Sequence, residues 1–396
     1  MRSGLEVLLD ERADALRGAR VGLLCNHTAV DRRLKHAIDL LLARGVHLVR
    51  LFGPEHGVRA TAQDMVGVDE ARDPVSGLPV VSLYGHDEAS LRPRAEDLRD
   101  LDVVLYDIHD IGARYYTYQA TLGFVMEAAG PLGVRVIVLD RPNPITGHHV
   151  EGNVVQPGFE SFVGAYPLAV RHGMTVGELA RYFVRWCGVR CEVDVVPCAG
   201  WRRGDWYEAT GLPWVYPSPN MPTVDTATVY PGMCLFEATT WSEGRGTTRP
   251  FHLFGAPWVD ANALVARLER EAADAGLEGV AFRPAAFLPG FQKHAGRGCQ
   301  GAEVHVIDRD RLDAFLLGMV AIKAARDVDP ARFAWRDKPY EFIHDRNAVD
   351  LLTGSTAFRE LVERGGTWAD LRRAHAAEGA GFLERRAAVL DPAYGA

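Results

Sequence analysis

The sequence predicts an α/β protein, with a Rossmann-like, mostly parallel sheet domain followed by a smaller α+β domain. Short apolar runs such as 20–25 and 134–139 alternate with helical patterns such as 117–129. Continuous apolar strands separated by helices are typical of parallel sheets covered on both faces. Right-handed crossovers arrange such units into an open, doubly wound sheet. We predict domains at residues 1–228 and 229–396, with an active-site cleft between them.

The elements of the first half follow from apolar runs and helix signals. Strands are predicted at 20–25, 46–52, 101–106, 134–139 and 193–196. Helices are predicted at 34–43, at 117–129 and after Thr175, where Glu178 completes a capping box. In the second half, helices at 261–273 and 312–325 and a strand at 301–307 indicate the α+β domain.

The composition excludes several functional classes for this protein. The net charge of −8 argues against nucleic acid or an anionic membrane as a partner, because a polyanion attracts a basic surface. No long apolar run indicates a signal peptide or a membrane span. Six scattered cysteines are typical of free thiols in a reducing compartment. We therefore expect a soluble cytoplasmic protein, and the sequence is compatible with a homodimer.

Several catalytic signatures are absent from the sequence. No GxGxxG follows the first strand and no GxxxxGK[ST] is present, so no nucleotide cofactor is expected. GxSxG and HExxH are also absent, which leaves serine-triad and zincin chemistry without support. The prediction is an enzyme without cofactor or metal.

Polar residues follow each main strand of the predicted sheet. Asn26 follows the first strand, Glu55 and His56 follow the second, and residues 107–110 and 140–143 follow the next two. In open parallel sheets the functional site lies outside the carboxyl ends of the strands. We therefore expect the site at this edge of the sheet.

Each candidate at the sheet edge has a chemical and a structural interpretation. Glu55, partly removed from water, is suited to a general acid, but a Glu at this point can also form a salt bridge. Asp107 and its neighbours can act in a site or form a hydrogen-bonded turn. Asp140 and Arg141 can form a salt bridge, or Arg141 can hold a substrate carboxylate through two of its guanidinium nitrogens.

Two further segments are suited to a sugar ligand. Arg114 and Tyr116 lie in an RYYTY run, whose rings can stack on a pyranose or simply pack at a helix start. Glu237, Glu243 and Arg245 lie in a glycine-containing loop that is either a site loop or a polar hairpin. Glycoside cleavage needs a proton for the leaving oxygen and a second group that stabilises the transition state or activates water. The chain carries enough carboxylates for both.

Eight motifs in order resemble the exo-β-N-acetylmuramidase family. They are VGLLCNHTAVD, LFGPEHGVRA, YDIHDIGARYYTY, VLDRPNPITGHHVEGN, RHGMTVGELA, YPSPNMPT, YPGMCLFEATTWSEGRGTTRPF and KHAGRGCQGAEVHVID. The resemblance implies a glycoside hydrolase that releases non-reducing-end N-acetylmuramic acid from peptidoglycan fragments. A small muropeptide or the β-1,4 disaccharide with N-acetylglucosamine is the implied substrate. Because the sequence shows no export signal, we expect a cytoplasmic role in recycling cell-wall fragments.

The resemblance also implies roles for individual residues. Glu55, His56 and Asp107 are the implied catalytic group, with Glu55 as the acid. The implied substrate-binding residues are Asn26, Arg114, Tyr116, Asp140, Arg141, Asn143, Glu151, Asn220, Glu237, Glu243 and Arg245. Two departures from the family pattern stand out. His109 replaces an expected Gln and is expected to alter the pH profile, and Trp241 is expected to reshape a sugar subsite.

Two other functions stay open at this point. His56, Asp107, His109 and Asp110 provide ligand types for a divalent metal, which would make the protein a metal-dependent hydrolase. The same cleft would also serve a sugar-binding protein that does no chemistry.

Overall fold

The computed structural model describes residues 1–59, 66–67 and 71–395. Ala60, which ends the LFGPEHGVRA motif, and residue 396 lie outside the described residues. The strands are β1 Arg20–Cys25, β2 His47–Gly53, β3 Ala71–Arg72, β4 Pro79–Ser82, β5 Val103–Asp107, β6 Arg135–Leu139, β7 Glu151–Val154, β8 Ala169–Arg171, β9 Val193–Val196, β10 Leu253–Ala256, β11 Val280–Phe287 and β12 Cys299–Val306.

The first half is built on a sheet in the order β3-β4-β2-β1-β5-β6-β9, in which every pair but β3–β4 is parallel. Strand β5 is buried along its whole length, as expected for a strand covered on both faces. The chain runs outward from β1 in one direction and then, from β5, in the other. This is a doubly wound sheet, and the predicted fold class of the first half is confirmed.

The helices are α1 Gly4–Val7, α2 Ala37–Ala43, α3 Ala95–Leu98, α4 Tyr118–Ala129, α5 Val176–Trp186, α6 Val224–Met233, α7 Ala261–Ala275, α8 Ala314–Val328, α9 Ala348–Thr353, α10 Ala357–Arg364 and α11 Trp368–Ala387. All predicted helices are present, and Thr175 caps α5 in the predicted capping box. Helix α2 begins later than predicted because the His36 side chain accepts the Ile38 N–H and caps it.

Several elements do not follow from the sequence pattern. Strands β3 and β4 at one side of the sheet, the antiparallel pair β7–β8 and helices α9–α11 are short or lack a clear period. Helix α6 carries Pro231 in its last turn, and a proline argues against a helix because it lacks the N–H that the backbone ladder needs.

The second half contains a three-stranded antiparallel sheet in the order β10-β12-β11. Helices α7 and α8 pack together, and α7 covers this sheet. The half is smaller than the first and of mixed α and β type, which confirms the predicted fold class. Residue 228 lies within α6, and the boundary there stays a prediction.

The C-terminal segment returns to the first half. Arg386, near the end of α11, donates to the Gly173 carbonyl at 2.8 Å, and the Tyr394 hydroxyl donates to Asp140 at 2.6 Å. Among the described residues, we find no helix that is both long and apolar enough to cross a bilayer. All six cysteines are free thiols, as predicted.

Glu151 joins the two halves. It begins β7 and accepts the N–H groups of Ala314 and Phe315 at the start of α8, at 2.8 and 3.2 Å. Its other carboxylate oxygen pairs with the buried Arg171 guanidinium. A carboxylate is favourable at a helix N-terminus because the first N–H groups have no partner inside the helix.

We predict that Glu151→Ala lowers the free energy of unfolding by about 3–5 kcal/mol, because it leaves the Arg171 charge buried without its partner. Urea unfolding followed by circular dichroism measures this loss. Asp14→Ala is the control, since the Asp14–Arg17 pair is exposed and contributes little. Similar losses in both variants would contradict this role of Glu151.

Candidate active site

A pocket of about 500 Å³, part of it open to solvent, lies between the two halves. From the first half it is lined by Glu55, His56, Tyr115, Tyr116, Thr117, Tyr118, Val163, Ser218, Asn220 and Met221. From the second half it is lined by Tyr230, Glu237, Arg245, Phe251, Tyr340 and Glu341. The pocket therefore combines an acidic, a basic and an aromatic surface.

The carboxyl end of β2 presents Glu55 to the pocket. Glu55 is buried, with 6% of its surface exposed, and the Thr117 hydroxyl donates to its Oε2 at 2.7 Å. Thr117 is held in place because it precedes the first turn of α4. The next residue, His56, has a left-handed backbone with φ of 70°, a conformation that costs energy for a residue other than glycine. The turn thus holds an acid in one defined position.

Aromatic side chains form one wall of the pocket. The Tyr116 ring meets Tyr118 and Tyr230 edge to face, with centroids 5.1 and 5.6 Å apart. Tyr230 in turn packs on Phe251 at 4.9 Å. Edge-to-face contacts of this kind hold the rings in fixed orientations, so this wall of the pocket is aromatic.

A buried network of charges forms another wall, which the second half contributes. The Arg245 guanidinium donates to Glu237 at 2.6 Å and to Glu243 at 3.0 Å. Lys293 donates to the second oxygen of Glu243 at 2.9 Å, and the Tyr340 hydroxyl donates to Glu237 at 2.7 Å. Two cations therefore balance two carboxylates in this wall.

The network controls the protonation of Glu243. Burial disfavours its charge, but Lys293 and Arg245 more than offset this cost and hold its pKa at about 2. Glu243 therefore stays ionised at neutral pH, and it keeps the Arg245 cation next to the pocket.

The structure adds Glu341, a pocket carboxylate that sequence reasoning missed. Glu341 lies in the loop between α8 and α9, is buried and accepts a hydrogen bond from the Tyr84 hydroxyl at 3.0 Å. Its backbone and that of Phe342 are both left-handed, with φ of 45° and 67°. The surrounding sequence KPYEFIHD has no family motif or periodic pattern that would have identified it.

The structure brings together six of the residues singled out in the sequence. Glu55, His56, Tyr116, Asn220, Glu237 and Arg245 line the pocket. Glu243 lies behind them and contacts Arg245. The remaining residues make their contacts elsewhere in the fold.

Asp107 and Arg141 form a buried ion pair, with Nε of Arg141 donating to Asp107 at 2.6 Å. Arg141 also donates to the Val30 carbonyl at 3.1 Å. Asn26 is fully buried and accepts the Thr28 hydroxyl at 2.6 Å. These residues lie at the predicted sheet edge, but they do not line the pocket that contains Glu55.

His109 packs against this part of the sheet edge. Its ring stacks on Tyr207 at 5.0 Å and meets the Trp214 edge at 5.4 Å. Burial and the nearby Arg141 lower its pKa to about 3. The imidazole is therefore neutral at physiological pH, and the expectation that His109 alters the pH profile near neutrality is wrong.

Four other residues named from the sequence make buried contacts within the fold. The Arg114 guanidinium donates to the carbonyls of Asn153, Leu168 and Leu352 at 2.6–2.8 Å. Asp140 accepts from Thr175, Gly177 and Tyr394 at 2.6–2.8 Å, and burial raises its pKa to about 6. Asn143 bonds the backbone of Ile145 and Met174 at 3.0–3.1 Å. Glu151 caps α8.

The structure also bears on Trp241 and on the metal hypothesis. Trp241 is fully buried beside Phe236 and does not line the pocket, so the expectation that it reshapes a subsite is wrong. In the part of the chain that the structure describes, no three His, Cys, Asp or Glu side chains are grouped as metal ligands. His56, Asp107, His109 and Asp110 do not converge.

The low pKa of Glu243 predicts how stability depends on pH. Its pKa of about 2 in the folded protein lies below the ordinary 4.5, so its contribution is present above pH 4.5 and is lost as pH falls through 2. We expect Glu243→Gln to lower the free energy of unfolding by about 3 kcal/mol at neutral pH. This difference in the free energy of unfolding between variant and wild type should fall to about half near pH 3. Urea unfolding between pH 3 and 7 tests this, and a constant difference would contradict it.

Comparison with known proteins places the chain among peptidoglycan hydrolases. Residues 21–225 match the N-terminal family of the exo-β-N-acetylmuramidase NamZ, and residues 228–390 match its C-terminal family. The chain is 41% identical over 366 residues to the peptidoglycan β-N-acetylmuramidase NamZ of Bacillus subtilis, covering 92% of this chain and 85% of that protein.

Solved structures agree with this match. A DUF1343 family protein of Bacteroides fragilis superposes with a TM-score of 0.88 at 36% identity, and the match covers 98% of both chains. A second DUF1343 family protein of that organism gives 0.73 at 26% identity, again over 98% of both chains. With both halves matched in order, the chain belongs to the exo-β-N-acetylmuramidase NamZ family.

Proposed function

We propose that this protein is an exo-acting glycoside hydrolase that releases N-acetylmuramic acid from the non-reducing end of peptidoglycan fragments. The observation that carries the proposal is Glu55, a buried carboxyl group held by Thr117 in the pocket between the halves. The relative from Bacillus subtilis, named as a peptidoglycan β-N-acetylmuramidase, supports the sugar and the bond. The β-1,4 disaccharide with N-acetylglucosamine is the smallest substrate of this kind.

Glu55 is proposed as the general acid. When the bond between the anomeric carbon and the leaving oxygen breaks, that oxygen needs a proton, and a buried carboxyl group next to it supplies one. The Thr117 hydroxyl fixes the orientation of the Glu55 carboxyl group. Such fixation contributes to the rate because the donor is already aligned when the bond breaks.

Arg245 is proposed to recognise the lactyl carboxylate of N-acetylmuramic acid. Three arginines were candidates from the sequence. Arg245 lines the pocket, whereas Arg114 donates to backbone carbonyls and Arg141 pairs with Asp107. A guanidinium group suits an acidic substituent because it donates several hydrogen bonds in one plane.

Two finer predictions belong to the same proposal. The first is a cytoplasmic role in recycling cell-wall fragments. Fractionation of the native cells tests it, and detection of the protein outside the cytoplasm would contradict it.

The second is that the protein forms a homodimer. Sedimentation velocity tests this, and a monomer over the working concentration range would contradict it.

The function is tested with the synthetic β-1,4 disaccharide of N-acetylmuramic acid and N-acetylglucosamine. We expect the wild type to release both sugars in equal amounts. Glu55→Gln should still bind the disaccharide but turn it over about 100- to 10,000-fold more slowly, because the amide has no proton to donate. Binding without release by the wild type would favour the sugar-binding function instead, and near-normal turnover by Glu55→Gln would remove its role as the acid.

The role of Arg245 is tested by comparing two 4-nitrophenyl glycosides, the β-N-acetylmuramide and the β-N-acetylglucosaminide, which differ by the lactyl group. The wild type should prefer the muramide in kcat/KM. Arg245→Gln should reduce this preference about 10- to 150-fold, the range for a hydrogen bond to a charged group. Arg249→Gln, in the same loop but outside the pocket, is the control. An unchanged preference in Arg245→Gln would exclude the contact.

A further inference from the structure

The pocket holds three glutamates, and the proposed function assigns a role to only one of them. Glu55 comes from the first half, while Glu237 and Glu341 come from the second. Glycosidases of the common type need a second carboxylate on the far side of the anomeric carbon from the acid. The question is which of the two glutamates of the second half takes this role.

The contacts of Glu237 indicate a structural role at the edge of the pocket. Its Oε1 accepts from Arg245 at 2.6 Å and its Oε2 accepts from the Tyr340 hydroxyl at 2.7 Å. The Cys234 thiol lies 3.3 Å from its Oε1. Both carboxylate oxygens of Glu237 are thus engaged in contacts within the second half, which bind Arg245 and Tyr340 in place.

Glu341 is held at the pocket in a different way. Two backbone hydrogen bonds between Tyr340 and Ile343, at 2.9 and 3.0 Å, close a tight turn around it. The turn forces left-handed backbone on Glu341, which a side chain of this size adopts only when its surroundings impose it. Strained residues of this kind cluster at functional sites. The Tyr84 hydroxyl, from the first half, fixes the Glu341 carboxylate at 3.0 Å.

We propose that Glu341 is the second catalytic carboxylate, acting on the face of the anomeric carbon opposite the leaving oxygen. The proposal rests on the proposed function, in which Glu55 is the acid. Glu55 and Glu341 lie in one pocket but come from different halves, so the substrate ring would sit between them.

The bond between the anomeric carbon and the leaving oxygen breaks, its electron pair stays on that oxygen, and the oxygen takes the proton of Glu55. The Glu341 carboxylate faces the positive charge left on the anomeric carbon. A water molecule then adds its hydroxyl group to this carbon, and the proton that remains from the water passes to Glu55 or Glu341. Glu55 and Glu341 therefore hold one proton between them before and after the reaction.

The first test compares three variants on the 4-nitrophenyl β-N-acetylmuramide, whose leaving group needs no proton from the protein. Glu341→Ala should lose at least about 100-fold in kcat, whereas Glu55→Gln should lose much less on this substrate. Glu88→Gln changes an exposed glutamate outside the pocket and controls for the effect of a substitution as such. If the wild type is active and Glu341→Ala retains nearly the same kcat, the proposal is overturned.

The second test is a gain of function, which a misfolded variant does not produce. In Glu341→Ala the missing side chain leaves room for a small anion on the proposed face. Azide should therefore restore turnover and give the α-glycosyl azide, identified by NMR. The same treatment of Glu237→Ala should give no α-azide. Absence of the α-azide from Glu341→Ala, or its formation by Glu237→Ala instead, would overturn the assignment.

The two tests separate this inference from the proposed function. Lack of any release by the wild type would defeat the glycosidase proposal itself. If the wild type does release the sugar, two results would count against Glu341 alone. One is a normal kcat in Glu341→Ala, and the other is the absence of the α-glycosyl azide.

Discussion

A charged side chain that leaves water on folding must find a partner, and this requirement organises the protein where its two halves meet. Removing the partner of a buried charge costs several kcal/mol. Asp107 pairs with Arg141 at the sheet edge, and Glu151 pairs with Arg171 and accepts from the first turn of α8. The second half has its own network around Arg245. Of these groups, only the Arg245 network forms a wall of the pocket.

The same requirement separates residues that hold the fold from residues that face a ligand. Parallel strands end in polar residues, and in this chain many of those residues are used internally. At the ends of β5 and β6 the Asp107–Arg141 pair fills the edge of the sheet. At the end of β2 the chain instead turns through His56 in a left-handed conformation and presents Glu55 to the pocket. The second half then supplies the opposite wall with Arg245.

Much of the fold could be predicted because its main signals are local. The buried strands β1 and β6 and the capping box of α5 each leave a pattern in consecutive residues. The site could be predicted only in part, since an acid or an arginine in a motif gives no sign of its partner. Arg114 therefore resembled a ligand contact, although it bonds three carbonyls. Glu341 was missed because a loop from another part of the chain brings it to the pocket.

In the proposed function, the pocket between the halves binds the muramic acid ring with its scissile bond beside residue 55. A crystal structure of the Glu55→Gln variant with the β-1,4 disaccharide would show where this bond lies. Our account predicts that the ring lies against Tyr116, that the leaving oxygen is within hydrogen-bond reach of residue 55 and that the lactyl group points to Arg245. A disaccharide bound beside Arg141, or one whose scissile bond lies away from residue 55, would contradict it.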